Sequence, residues 1–195
     1  PVKTQKKSII LQNSIESQDF ERAEWPWDAR AGICAVGRLD PVKCFDDLLR
    51  IFAIVHKRFP DVHLDLYGDG PEQPSLEKLA NALELDTSLT FCGNNQQMAS
   101  EYAKHKLFIM TSRSEGMPTV LLEALASGCA CVSTNCDFGP SDLIQDGENG
   151  FLVPVHDIDA AADRICRLLE DDALSFRFGE TAKKVRNTNG LEKIG

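Results

Sequence analysis

Basic residues are in short supply: 21 Lys and Arg stand against 30 Asp and Glu, a formal net charge of -9 at pH 7, with a pI near 4.9. No basic stripe offsets the acidity, so general nucleic-acid binding is excluded as the task of this chain. Lys3, Lys6 and Lys7 form only a small cluster that reads as a solvated terminus. Long apolar runs are also missing. The longest fall far short of a membrane span, so no membrane contact is expected from this chain, and its start at Pro1 carries no signal-peptide pattern.

Cysteine is plentiful, but the arrangements that give it chemistry are absent. Cys34, Cys44, Cys92, Cys129, Cys131, Cys136 and Cys166 contain no C-x-x-C pair and no histidine companion at metal-ligand spacing. Cys34, Cys92, Cys129 and Cys131 lie in apolar, strand-like runs where cysteine acts as a small hydrophobe. Reduced thiols and a cytoplasmic location are therefore expected, with the full-length protein at most peripheral at the inner face of the membrane. His56, His63, His105 and His156 are scattered along the chain, and no metal site is expected. Internal repeats and low-complexity linkers are lacking as well.

What remains is a chain of 195 residues, 43% hydrophobic and 26% charged, long enough for one well-buried domain. Strand-like runs alternate with helical ones. Residues 32–37, 62–67, 89–92, 107–111, 129–134 and 150–155 read as strands. Helices are expected at 45–59, from the turn at 68–71 to about 85, at 97–105, 118–127, 140–145 and 158–171, and again beyond 173. Such alternation predicts an α/β fold: a Rossmann-like parallel sheet of about six strands with right-handed crossover helices on both faces. Residues 1–28 are polar and irregular and read as a connecting segment, 29–187 as the domain, and 188–195 as a tail.

Ligands of such sheets bind at the carboxyl ends of strands. The segment Ser114-Glu115-Gly116-Met117-Pro118-Thr119-Val120-Leu121-Leu122-Glu123 falls there, with two carboxylates eight positions apart around a glycine turn. Pro118 suits the first position of a helix that stops at Ser127-Gly128. Glu123 is the only charge in that helix, which leaves two roles open: a glutamate on its one wet side, or a buried carboxylate held by strong donors or a polar ligand. Helical side chains lean toward the N-terminus, so Glu123 can reach back toward the end where free N–H groups attract anions. Beside a phosphate its useful role is to accept hydrogen bonds from vicinal hydroxyls such as those of a ribose, and Glu115 could do the same for a second polyol.

Six motifs stand in one order: Gly37-Arg38-Leu39 followed by Lys43, Tyr67-Gly68-Asp69-Gly70-Pro71, Phe91-Cys92-Gly93, the Glu115 and Glu123 pair, Gly139-Pro140, and Gly147-Glu148-Asn149-Gly150-Phe151-Leu152-Val153. In these the chain resembles the nucleotide-sugar-binding half of a family 4 retaining glycosyltransferase of the GT-B architecture. The resemblance implies a hexosyltransferase moving a sugar from a nucleotide diphosphate sugar, UDP-linked by preference, to a polysaccharide or glycolipid acceptor. It implies that Arg38 and Lys43 bind the diphosphate, Glu123 the ribose and Glu115 the transferred sugar, with Arg38, Lys43 and Glu115 as the catalytic set. Gly37 and the backbone of Gly116, Met117, Pro118, Thr119 and Val120 would hold phosphate and sugar, with Phe91 and Cys92 near the base. Neither a cofactor nor a metal ion is implied. The runs around Gly68 and Gly147 are given structural roles first.

Two departures qualify the likeness. Lys43 is followed by Cys44 where the family often has glycine, which adds a side chain near the phosphate loop. Family members also carry a second, N-terminal half that binds the acceptor, so a fragment that binds nucleotide but transfers little is expected. Two other readings stand beside this one: an epimerase-like enzyme of the same fold, which needs acid/base residues the sequence does not identify, and a non-catalytic nucleotide-binding module.

Overall fold

The computed structural model describes residues 15 and 17–189. The Lys3, Lys6 and Lys7 cluster and nearly all of the expected tail lie outside the described residues. One parallel sheet is built from β1 (Ile33–Val36), β2 (Leu64–Tyr67), β3 (Leu89–Gly93), β4 (Leu107–Met110), β5 (Ala130–Thr134) and β6 (Gly150–Val153), in the spatial order β3-β2-β1-β4-β5-β6. Ile33 of β1 lies opposite Leu64 on one side and Leu107 on the other. The expected sheet of about six parallel strands is therefore present, with helices on both faces.

Successive strand residues point to opposite faces, and this sorts the core in two. Ile33, Ala35, Leu64, Leu66, Leu107, Ile109, Ala130 and Val132 turn toward one face. Cys34, Tyr67, Phe108, Met110 and Cys131 turn toward the other. All of β4 is buried, as expected of a central parallel strand covered on both sides.

The first face is covered by α2 (Phe45–Arg58), α3 (Gln73–Ala82), α7 (Ile158–Glu170) and most of α8 (Asp172–Ala182). On the second lie α1 (Ser17–Arg22), α4 (Met98–Lys104), α5 (Thr119–Ala126) and α9 (Val185–Asn189). A short α6 (Pro140–Leu143) follows β5. Phe45, Leu48, Leu49, Phe52 and Val55 recur at helical spacing and give α2 its buried stripe, while Phe59, next to Pro60, leaves the helical conformation. Asp157 and Asp171 cap α7 and α8 by accepting from the backbone N–H groups of Ala160 and Leu174.

Several boundaries differ from expectation for local reasons. Ser17–Arg22 is helical inside the segment read as irregular, because Phe20 packs into the second core and gives that turn something to bury. α3 stops at Ala82: Glu84 adopts φ 59, and the N–H of Leu85 turns back to the carbonyl of Ala80 at 3.0 Å, closing a Schellman motif. β6 ends before Pro154, which has no N–H for the ladder. Among the described residues, no helix is long and apolar enough to cross a membrane.

Candidate functional site

The strand order reverses direction between β1 and β4, and at such a switch point the loops leaving the two strands separate and open a crevice. Here those loops are 37–44 and 111–118. They are tied together: the N–H of Arg113 donates to the carbonyl of Val42 at 3.0 Å, and the Thr111 hydroxyl to the carbonyl of Lys43 at 2.8 Å. Above these ties the Lys43 ammonium meets the Glu115 carboxylate at 2.6 Å, with side chains only 19% and 9% exposed. Two residues read separately from the sequence thus form one pair, 72 positions apart.

The loops behind the pair brace it. Leu39 N–H donates to the carbonyl of Asp69 at 2.7 Å, and Glu72 N–H to that of Leu39 at 3.0 Å. A Cβ on Gly68 would lie 2.0 Å from the carbonyl oxygen of Gly37, so only glycine lets the two loops touch; the structural role read for Gly68 is the observed one. Gly139, at φ +100, does the same for the start of α5, where a Cβ would stand 2.3 Å from Cδ of Pro118.

α5 begins at Thr119, and Pro118 is its N-cap rather than its first residue. Leu121, Leu122, Ala124, Leu125 and Ala126 are buried against the sheet, whereas Thr119, Val120 and Glu123 are not fully covered. Of the two roles left open for Glu123, the structure selects an intermediate. Its carboxylate is half-buried, accepts the Tyr102 hydroxyl at 3.2 Å, and opens into a cleft of about 470 Å³ shared with Thr119. Burial pushes the Glu123 carboxyl above the usual carboxylate range, and the Tyr102 hydrogen bond only partly counters this.

The remaining predicted residues divide. Arg38 extends from the loop after β1 with its side chain 74% exposed, its Nε 4.0 Å from Asp40. It does not line the Glu123 cleft, and neither do Lys43 and Glu115. Phe91 and Cys92 sit within β3, packed on opposite cores. The cleft is instead lined by Gln96, Gln97, Met98, Ala99 and Ser100, just beyond them, together with Ile15, Asp19 and Phe20. Strand residues alternate into the cores, so the loop after the strand rather than the strand itself reaches the cleft. Tyr102 was also missed. Its one sequence signal is rarity, for each of the two tyrosines donates to a glutamate, Tyr67 to Glu101 at 2.9 Å and Tyr102 to Glu123.

The histidines, scattered in sequence, do not all stay scattered. His156 in the turn before α7 meets Asp47 of α2 at 2.6 Å, and Cys44 lies close enough for the three ligand-type atoms to fall within 4.8 Å of one another. Sequence spacing gave no hint of this grouping, because it is assembled across 109 residues.

A parallel six-stranded sheet with helices on both faces and a switch-point crevice between β1 and β4 is a Rossmann-like architecture, of the kind that binds ligands at the carboxyl ends of its strands. The chain matches the model of the family "Glycosyl transferases group 1" over residues 17–185, and it belongs to that family. A Haemophilus influenzae protein described as an uncharacterized glycosyltransferase is 31% identical over 162 residues, 83% of this chain and 46% of its own. The lipopolysaccharide core biosynthesis glycosyltransferase LpsE of Rhizobium meliloti is 33% identical over 166 residues, 85% of this chain and 47% of its own. A mutant S. aureus TarM, crystallised in complex with Fondaparinux, alpha-GlcNAc-glycerol and UDP, superposes with a TM-score of 0.79 at 28% identity, over 86% of this chain and 33% of its own. The chain spans less than half the length of these curated relatives.

Proposed function

We propose that this chain is the donor-binding half of a retaining, family 4 type glycosyltransferase that takes a UDP-sugar and serves a polysaccharide or glycolipid acceptor. The observation that carries the reading is Glu123: a half-buried carboxylate that accepts the Tyr102 hydroxyl among the described residues, opening into a cleft beside the start of α5, one loop away from the Lys43–Glu115 pair. Vicinal hydroxyls of a ribose would give that carboxylate further donors. The UDP bound to the TarM mutant, and the lipopolysaccharide role in the name of LpsE, support the base and the acceptor class.

Each side chain then has a task. Breaking the glycosidic bond loads negative charge onto the departing diphosphate, and fixed cations aimed at it stabilise that state. Lys43 supplies a point charge, and Arg38, loosely held and exposed, supplies a planar fork that closes onto the ligand. Backbone N–H groups of Gly116, Met117 and Val120 add the partial positive charge of a helix start. Glu115, anchored by Lys43, presents its remaining oxygen to the hydroxyls of the transferred sugar. Residues 96–100 flank the base. Diphosphate neutralisation by these groups needs no metal ion, and transfer calls for an acceptor-binding half besides this donor-binding one.

The test is a thermal-shift and calorimetric screen of UDP, GDP and ADP on the 195-residue chain, because a ligand specific for the folded form raises its Tm. UDP is expected to raise Tm most. Arg38→Ala, at an exposed position, should leave the unliganded Tm unchanged and weaken UDP by about tenfold to a hundredfold, the worth of ~1.5–3 kcal/mol for hydrogen bonds to a charged group. No response to any nucleoside diphosphate, or an equal response in Arg38→Ala, would overturn the assignment.

A further inference from the structure

Cys44, Asp47 and His156 lie away from the Glu123 cleft, and the donor-binding reading uses none of them. Cys44 is the N-cap of α2, in a left-handed conformation at φ 51 and ψ 47, with no side-chain cap bond. Its buried thiol makes long contacts to the carbonyls of Pro41 and Val42, at 3.6 and 3.7 Å. Asp47 stands one turn later on the same face of α2. His156 arrives from the turn between β6 and α7, also left-handed at φ 65, and directs Nδ1 at the Asp47 carboxylate. Two side chains from one helix end and one from a distant turn, of three different ligand types, thus converge on one point.

We propose that Cys44 Sγ, Asp47 carboxylate and His156 Nδ1 form a binding site for Zn²⁺ or a chemically similar transition-metal ion. A sulfur, an imidazole nitrogen and a carboxylate oxygen suit borderline-soft Zn²⁺ and suit Mg²⁺ or Ca²⁺ poorly. Zinc bonds of about 2.3 Å to sulfur and 2.0–2.2 Å to nitrogen and oxygen in a tetrahedron place the ligand atoms about 3.4–3.6 Å apart. The present separations, from 2.6 Å between Nδ1 and Oδ2 up to 4.8 Å at most, bracket that spacing. The His156 side chain is 60% exposed, so it can rotate to open its short contact while a water takes the fourth position. Binding replaces the thiol proton of Cys44 by the metal and releases it to solvent.

The location gives the site a purpose. Cys44 follows Lys43 directly, so an ion there pins the end of loop 38–43 and the start of α2 to the β6–α7 turn. It would act as a clamp behind the cationic loop, and metal binding stands or falls independently of the donor assignment.

Co²⁺ titration of the chelator-treated, reduced 195-residue chain tests this, with Zn²⁺ as competitor. The expected result is one ion per chain with a thiolate-to-cobalt charge-transfer band, displaced by Zn²⁺. Tm should rise by about 5–10 °C at a metal concentration a hundredfold above Kd. Cys44→Ser should abolish the band, and His156→Ala, at an exposed side chain that should not disturb folding, should weaken binding at least tenfold. A wild-type chain without the band, a band surviving in Cys44→Ser, or equal affinity in His156→Ala would each overturn the proposal.

Discussion

Glu123→Gln should make the unliganded protein more stable and the liganded one weaker. Burial raises the Glu123 carboxyl from its ordinary value of 4.5, so in the folded state the charged form is disfavoured. A group whose folded pKa is raised contributes stability below its unfolded pKa, and that contribution is lost as pH climbs through the folded value. As pH rises the wild type therefore loses the stability that the protonated acid contributes. Glutamine has nearly the same shape, its amide oxygen can still accept the Tyr102 hydroxyl, and no charge remains to be desolvated. Relief of such functional-site strain is typically worth about 0.5–2 kcal/mol, which for a domain of this size raises Tm by about 1–8 °C. The gain should vanish near pH 4 and open as pH rises above about 4.5 toward 7, which thermal melts across that range would show. UDP affinity should meanwhile fall about tenfold or more, since hydrogen bonds to a charged acceptor are worth ~1.5–3 kcal/mol. A variant that melts lower than wild type at pH 7, or gains the same Tm at pH 4 and pH 7, would refute the claim that desolvation dominates at this residue. Unchanged UDP affinity would separately remove Glu123 from the ribose.

Two further perturbations address the scaffold of the site. Lys43→Ala leaves the Glu115 carboxylate, 9% exposed, without its cation, and urea unfolding should show a loss near the lower end of roughly 3–5 kcal/mol. Adding Glu115→Gln should restore a substantial part of it, and strictly additive losses would mean that the pair is not coupled. Gly139→Ala forces a non-glycine residue into φ +100 and drives its Cβ to 2.3 Å from Pro118, so a loss of at least about 1–3 kcal/mol is expected, with weakened UDP binding as the start of α5 shifts. Normal stability in that variant would show that the α5 entry yields without strain.

Most of the fold was legible because it rests on local physics. The 3.6-residue recurrence of Phe45, Leu48, Leu49, Phe52 and Val55, the all-apolar stretch of β4 and the proline after α2 are properties of short segments, and such segments behave alike wherever they are placed. Boundaries slipped where a turn was decided by packing, as at Glu84, where burial of Leu85 favours the left-handed residue. The order of the glycine, arginine, lysine and glutamate motifs was equally readable, because loops that follow parallel strands must emerge on one edge.

What this sequence determined by itself was the succession of elements, the edge on which its polar loops gather, and the candidate acids and cations of that edge. Which of those groups meet was decided by the tertiary structure. Lys43 pairs with Glu115 because β1 lies beside β4, Glu123 depends on Tyr102 because α4 and α5 share a face, and Cys44, Asp47 and His156 converge because α2 packs against α7. Periodicity assigns a residue to a face of its own element, but strand order and helix packing are set by the burial of whole faces against one another, so encounters between side chains dozens of positions apart exist only once the chain has folded.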